Sequence, residues 1–440
     1  MIQQILFVLV AAFALGYAWL SFMRIRRNIL LGQDEKIGGD TGQRWRNVLL
    51  VAFGQQKMFK RWIPAVFHFF IYAAFLLTQI ELIEIFIDGA AGRHRFFRPA
   101  LGGFYTFLIS FIEVLSVLAL AATIIFLIRR NILRIARFHK PEMKGWPFKD
   151  ANIILYLEFA LIACIFIMNS ADMALHDNEY GFAVSRFLSP VWSGASEATL
   201  HAAERFGWWG HILVVFAFLN YLPFSKHLHI VLAFPNTWYA GLKPRGEMEN
   251  MPAIMNEVKS MMGLSATEDA GAGMDEIPEF GANDVTGLSW KNLLDAYSCT
   301  ECGRCTSVCP ANLTGKKLSP RKILMDIRDR AEEIGRNLAT GEKSFAKDQE
   351  KPLGRDNYQD GKSLFDYITR EEIHACTTCN ACVEACPVLI NPLDPILKLR
   401  RYEILTESAG PADWLPMFNS IENGGAAWSM NIDREHWINE

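Results

Sequence analysis

The sequence predicts an all-α protein in two unlike halves, a bundle of five membrane-spanning helices followed by a polar helical domain. Three observations carry this. Five apolar runs, each long enough to cross ~30 Å of hydrocarbon, fall in the first 240 residues. The net charge of −3 hides +7 on residues 1–240 and −10 on residues 241–440, the asymmetry of a membrane part joined to a soluble one. Eight of the nine cysteines sit in two short runs of the second half. The predicted division is 1–240 membrane domain, 241–285 linker and 286–440 cysteine domain. No basic patch rises above the acidic background of the second half, so nucleic-acid binding is excluded.

The apolar runs cover about Ile2–Met23, Trp62–Ile87, Leu101–Ile128, Ala151–Ala171 and Trp208–Phe234. The first lacks a basic leader and is followed by Arg24, Arg26 and Arg27. It reads as a retained anchor with its N-terminus outside, not a cleaved signal. Segments 24–61 and 129–150 hold nine and seven Lys/Arg, against three and two in 88–100 and 172–207. Basic loops stay in the cytoplasm. Five crossings then place residue 235 onward on the cytoplasmic side of an inner membrane, in a multi-pass chain.

The second half is organised around Cys299–Pro310 and Cys376–Pro387, each reading C-x2-C-x2-C-x3-C-P. That run holds a [4Fe–4S] cluster, and in two-cluster proteins its fourth cysteine serves the opposite cluster. Cys299, Cys302, Cys305 and Cys386 are therefore assigned to one cluster, and Cys376, Cys379, Cys382 and Cys309 to the other. Zinc sites also begin C-x2-C, but they seldom need a third step and a closing Cys-Pro, twice over. Thiolate ligation fits a reducing compartment, in agreement with the topology. Cys164, alone in an apolar run, reads as a small buried hydrophobe.

Ionisable residues at membrane depth are candidate functional groups. His211 and His229 lie 18 residues apart on the fifth run, which is five whole helical turns, so both point the same way. His68, near the start of the second run, lies at the depth of His229. A bundle with facing histidines is the usual setting of a bis-histidine haem b. His68 and His229 are the expected axial pair, against the alternative of interfacial histidines packed on headgroups. Lys226 reads as a partner for a haem propionate or a snorkelling anchor. His227 points elsewhere and is unassigned. Glu81, Glu84, Glu113 and Glu158 interrupt apolar runs, either as proton relays or as groups hydrogen-bonded to neighbouring helices.

In the second half, residues 244–285 read as a mostly irregular linker. A helix is expected over Trp290–Tyr297, whose Asp295 carries no chemistry. A second runs over Ser319–Gly335, with Pro320 at its start and Gly335 near its end. Shorter helices are expected at Thr369–His374 and Pro392–Thr406, with 340–362 a charged surface excursion. Trp414, Trp428 and Trp437 mark a tail that docks on its own domain or a partner.

Five helices, an early histidine on the second and a histidine pair on the fifth resemble the gamma subunit of respiratory nitrate reductase and the membrane subunit of heterodisulfide reductase. The resemblance implies a cytochrome b bundle whose proximal haem pair falls on His68 and His229. The family's second helix-two histidine falls on Thr78, which leaves His211 without its partner. A second haem would need His176 or His201, and His211 is left to a quinone or to a neighbouring group. The run from Phe280-Gly281 through Trp290, Leu294-Asp295-Ala296-Tyr297 and Ala311-Asn312 resembles the helical ferredoxin module of heterodisulfide reductase D-type proteins. These include membrane oxidoreductases that pass electrons from electron-transfer flavoprotein to menaquinone. The tail from Asn423-Gly424-Gly425 to Arg434 and Trp437 is similar to that family's bridge into a domain with paired-cysteine CCG motifs. This sequence has no adjacent cysteine pair, which implies a separate CCG subunit.

The resemblance thus implies an electron-transfer subunit of a membrane quinone oxidoreductase, with two [4Fe–4S] clusters, haem b and menaquinone. The alternatives are a membrane-anchored ferredoxin acting as an assembly factor, and a subunit of a heterodisulfide-type thiol/disulfide reductase.

Overall fold

The computed structural model describes residues 1–176, 181–248, 250–264, 280–427 and 438. Among them every long element is a helix. Five are long and apolar enough to cross a membrane: α1 (Ile2–Ile29), α2 (Trp62–Ala91), α3 (Gly103–Asn131), α4 (Trp146–Leu175) and α5 (Glu197–Tyr221). Most outrun their apolar segments. The helix of α1 continues through Arg24–Arg27, whose long side chains can leave the apolar layer while the backbone stays helical.

The bundle packs through small residues. The buried stripe of α1 is Phe7, Ala11, Ala14, Ala18 and Ser21, whose short side chains let backbones approach. Phe7 lies against Phe86 and Trp208, and a Cβ on Gly89 would meet its ring at 2.8 Å. At the α4–α5 crossing, a Cβ on Gly207 would stand 2.5 Å from the Met168 nitrogen. One on Gly210 would meet the Cys164 thiol at 2.8 Å, so Cys164 packs into the crossing, half-buried rather than buried.

The fifth apolar run is not one helix. Pro223 lacks the N–H that would continue α5, and two tight turns follow over Leu222–Phe224 and Lys226–Leu228. Ser225 caps the second. A separate helix, α6 (His229–Trp238), begins at His229 itself. His211 and His229 therefore lie on different helices, and the five-turn argument does not relate them.

The linker contains a helix, α7 (Pro252–Met261), where an irregular segment was expected; residues 265–279 lie outside the described residues. The cysteine domain is built on α8 (Trp290–Tyr297), α9 (Pro320–Thr340) and α10 (Leu393–Arg401). Ser289 caps α8 with a reciprocal bond from Asn292, and Ser319 caps α9. Helix α9 runs past Gly335 and ends at Gly341, whose φ is +69°. Gly335 serves approach rather than termination: a Cβ there would meet Asn28 Oδ1 at 2.1 Å. Asn28 also donates to Tyr297 Oη at 3.1 Å, and Arg27 to the Gly335 carbonyl at 3.0 Å.

The two halves share one apolar core. Ile25, Ile29, Leu228 and Ala233 pack with Leu293, Tyr297, Ile323 and the cysteine loops. Residues 33 and 288–290 pair through backbone bonds of 2.7 and 3.0 Å, and Trp290 donates to the Glu35 carbonyl at 3.0 Å. Of the tail tryptophans, Trp414 packs on His374 of its own domain; Trp428 and Trp437, with Arg434, lie outside the described residues.

Gly207→Ala forces backbone apart at the α4–α5 crossing and should lower stability by about 1–3 kcal/mol, the usual range for overpacking. Gly210→Ala should be milder, because the Cys164 thiol can turn away. Thermal unfolding in detergent checks this; equal midpoints for the two variants would contradict the packing described.

Candidate metal centres

Both cysteine segments wind through the same local conformation. Glu301 and Gly303 in the first, and Thr378 and Asn380 in the second, have φ between +49° and +69°. These are the second and fourth positions after the leading cysteine in each. Left-handed backbone at non-glycine residues costs roughly 1–3 kcal/mol each and persists where the surroundings impose it. Here it coils three cysteines around a common centre. Cys309 and Cys386 each close their segment in extended conformation, ahead of Pro310 and Pro387.

Each fourth cysteine lies near the opposite segment. Cys386 is close enough for its charge to act on Cys299 and Cys305, and it feels Cys302 in turn. Cys309 acts on Cys376 and Cys382, alongside Cys379. Cys382 also acts on Cys305, so the two groups of thiols adjoin each other. Cys299, Cys382 and Cys386 are buried enough that desolvation pushes each thiol up to about 12. Four such thiols do not ionise together without a cationic centre to hold them. Backbone N–H groups of Glu301 and Ile390 point at Cys299 Sγ (3.4 Å) and Cys386 Sγ (3.3 Å), as suits sulfur that carries charge. The donor set fits cubane clusters.

Cations of the cysteine domain brace these loops, two of them against acceptors of the membrane half. Arg304 donates to the Lys57 and Met58 carbonyls at 3.0 and 3.3 Å, and its charge acts on Cys302. Arg321, fully buried, donates to the Arg137 carbonyl at 2.8 Å and to Glu142 at 2.7 Å. Arg400 donates to the Cys376 carbonyl at 2.5 Å.

Glu301, between the first two cysteines, accepts from Lys226 Nζ at 2.5 Å and Arg328 at 2.8 Å. Burial alone would raise its carboxyl, but Arg328 and Lys226 hold it below the usual carboxylate range. Lys226, weighed as a propionate partner or a snorkelling anchor, is spent on this ion pair.

The histidines divide by place. His68 Nδ1 meets Gln55 Oε1 at 3.1 Å, and His229 Nδ1 meets the Lys226 carbonyl at 3.0 Å. Each Nδ1 is thereby engaged and each Nε2 left for a ligand, the usual way such rings are oriented. His68, His227 and His229 lie close enough to act on one another electrostatically. The rings of His227 and His229 are 5.4 Å apart, and His227 Nδ1 is buried without a hydrogen-bond partner among the described residues. His227 is missed by helical periodicity because it sits in a tight turn; the signal is Ser225 after Pro223, which ends the helix. An orphaned imidazole nitrogen beside two oriented rings fits a haem-binding place. His211, by contrast, faces the Leu161 carbonyl at 3.4 Å, across the α4–α5 crossing. Thr78 is half-buried and bonds its own helix.

Two of the intramembrane carboxylates are structural. Glu84 accepts from Tyr105 and the Phe97 N–H at 2.7 and 2.9 Å. Glu113 accepts from the Val184 and Ser185 N–H groups at 2.8 and 3.1 Å. Glu81 lies beside them with Oε1 unpartnered among the described residues.

Residues 298–390 match the family of 4Fe-4S dicluster domains. The chain is 29% identical over 460 residues to the probable iron-sulfur-binding oxidoreductase FadF of Bacillus subtilis, covering 100% of this chain and 61% of the relative. It is 26% identical over 419 residues to the EtfAB:quinone oxidoreductase of Syntrophomonas wolfei, covering 90% and 54%. The chain is a relative of iron–sulfur oxidoreductases. Its dicluster domain holds the eight cysteines described above. A stretch of 169 residues is 33% identical to the probable membrane-anchored ferredoxin of Chromohalobacter salexigens, covering 35% of this chain and 24% of that protein. The chain thus spans 61% and 54% of the length of the first two relatives. No solved structure matches it.

Crossed ligation makes a specific demand on double variants. Cys299→Ala with Cys386→Ala should remove one cluster and leave about four irons, whereas Cys376→Ala with Cys386→Ala should remove both. Iron and acid-labile sulfide analysis measures the difference; equal iron in the two double variants would refute the crossing.

Proposed function

We propose that the chain is the electron-transfer part of a membrane quinone oxidoreductase, passing electrons between a soluble partner, two [4Fe–4S] clusters, haem b and menaquinone. The observation that carries this reading is the link through Lys226. Its ammonium is bonded to Glu301 of the first cluster loop, and its carbonyl orients His229. One residue thereby holds a cluster-binding loop and a candidate haem ligand in register.

The clusters and the haem would supply one-electron steps, and the protein supplies spacing, orientation and electrostatics. In this reading the two cysteine sets hold the clusters, and His68 and His229 present Nε2 atoms to the haem. The basic side chains around the first loop stabilise its anionic ligands. The apolar shared core keeps water from between the centres. Menaquinone as acceptor, electron-transfer flavoprotein as donor and a CCG iron–sulfur subunit between them follow from the resemblance; the similarity to the EtfAB:quinone oxidoreductase of Syntrophomonas wolfei supports a quinone and an Etf partner. The basic loops support an inner-membrane orientation with the N-terminus outside and the cysteine domain in the cytoplasm. His211 is retained as a candidate for the quinone rather than for this haem.

The purified protein should show a b-type α band in its reduced-minus-oxidised spectrum. His68→Ala should abolish that band while leaving eight irons and the cluster signals intact, since His68 touches no cluster cysteine. A wild-type preparation with clusters and no porphyrin would overturn the reading in favour of a membrane-anchored ferredoxin.

A further inference from the structure

The end of the bundle away from the cysteine segments holds a cavity of about 460 Å³, lined by charged and apolar side chains, that the proposed electron path does not use. It is walled by the ends of α1, α2, α4 and α5. His94, Asp172 and His176 stand on it, and one ligand atom from each lies within 4.8 Å of the others.

The local construction is specific. The Asp172 side chain is 1% exposed, while the two imidazoles are about two-fifths exposed (42% and 40%). Asp172 Oδ1 lies 3.1 Å from His94 Nε2 and 3.2 Å from His176 Nδ1. The same His176 nitrogen also reaches the Asp172 carbonyl at 2.9 Å. The other carboxylate oxygen accepts from Arg95 Nε at 2.7 Å, and Arg95 is fixed in turn on Tyr105 and Asn169 at 3.0 and 2.9 Å. Asp88 accepts the Arg95 and Phe96 N–H groups at 2.8 and 3.1 Å, which curls the loop so that His94 hangs over Asp172. Glu204, another carboxylate of the lining, is paired with Arg205 at 2.5 Å. The carboxylate oxygen turned to both imidazoles is Asp172 Oδ1.

We propose that His94, Asp172 and His176 form a binding site for a divalent transition-metal ion of the zinc class. Two ligand atoms, each about 2.0–2.1 Å from a tetrahedral zinc, stand about 3.3 Å apart. The separations of 3.1 and 3.2 Å match that spacing for Asp172 with each imidazole, the two imidazole nitrogens lie within 4.8 Å of each other, and the His176 Nδ1 gives up its bond to the Asp172 carbonyl to take the ion. Two imidazoles and one carboxylate match zinc-class chemistry, whereas magnesium and calcium prefer oxygen alone. Arg95 on the second oxygen is the outer partner that fixes a ligating carboxylate. Three protein ligands leave a fourth position open to the cavity. The ion fastens the loop after α2 to the end of α4.

The test uses cluster-loaded protein in detergent, washed with EDTA and titrated with Zn²⁺ by calorimetry. X-ray absorption at the zinc edge is recorded on the wild type. A single saturable Zn²⁺ per chain is expected, with nitrogen and oxygen at about 2.0–2.1 Å and no sulfur. Mg²⁺ should not compete. His94→Ala and His176→Ala should each weaken binding at least about a hundredfold, the upper end of what loss of an outer partner does. Iron content should stay unchanged in both. Absence of a saturable event, unchanged affinity in the His94→Ala/His176→Ala double variant, or sulfur in the zinc shell would each overturn the site.

Discussion

The buried carboxylate of Glu301 is the constraint on which the rest of the molecule depends. It lies in the first cluster loop, yet its partners come from elsewhere: Lys226 from the turn between α5 and α6, and Arg328 from α9. Removing one partner from a buried ion pair typically costs about 3–5 kcal/mol, because the other charge is stranded. The three elements are therefore held together. Lys226 sits where it does because Pro223 ends α5 and Ser225 starts a new turn. His229 follows directly and takes its orientation from the Lys226 carbonyl.

The basic loops have a second use beyond topology. Their charge bias is what membrane orientation responds to, but several of these cations and their backbone carbonyls also face the cysteine domain. Arg27 caps the close approach at Gly335. The carbonyls of Lys57, Met58 and Arg137 accept from Arg304 and Arg321. Lys60 and Arg245 both pair with Glu384 of the second cluster segment. A domain that binds anionic clusters is thereby seated on a basic surface, and the seam gains electrostatic as well as apolar support.

The far end of the bundle is organised by a different network. Arg95, Asp172, Tyr105, Glu84 and Asn169 form a connected set of buried hydrogen bonds. Groups that read as interruptions of apolar runs are there satisfied by one another and by loop backbone, which is how polar residues persist at such depth. Glu84 and Glu113 are accordingly closures for the connecting segments. The network holds the helix ends apart around the cavity.

Much of this was legible in the residues alone. Apolar runs, two cysteine spacings and cap residues such as Ser289 and Ser319 act over short stretches of chain, so they identify five long helices, eight cysteines in two matching segments and the starts of α8 and α9. Long-range contacts decided the rest. Gly335 reads as a helix stop but is a place where Asn28 must fit, and His227 reads as turned away because the break at Pro223 re-aims it. Glu301 looks like an incidental residue between cysteines, and its importance appears only once Lys226 and Arg328 arrive from distant sequence. Local patterns specify which backbone forms, through hydrogen bonds and solvation within a few residues. Which side chains meet across the seam depends on close packing between segments hundreds of residues apart, and no short window of sequence contains that information.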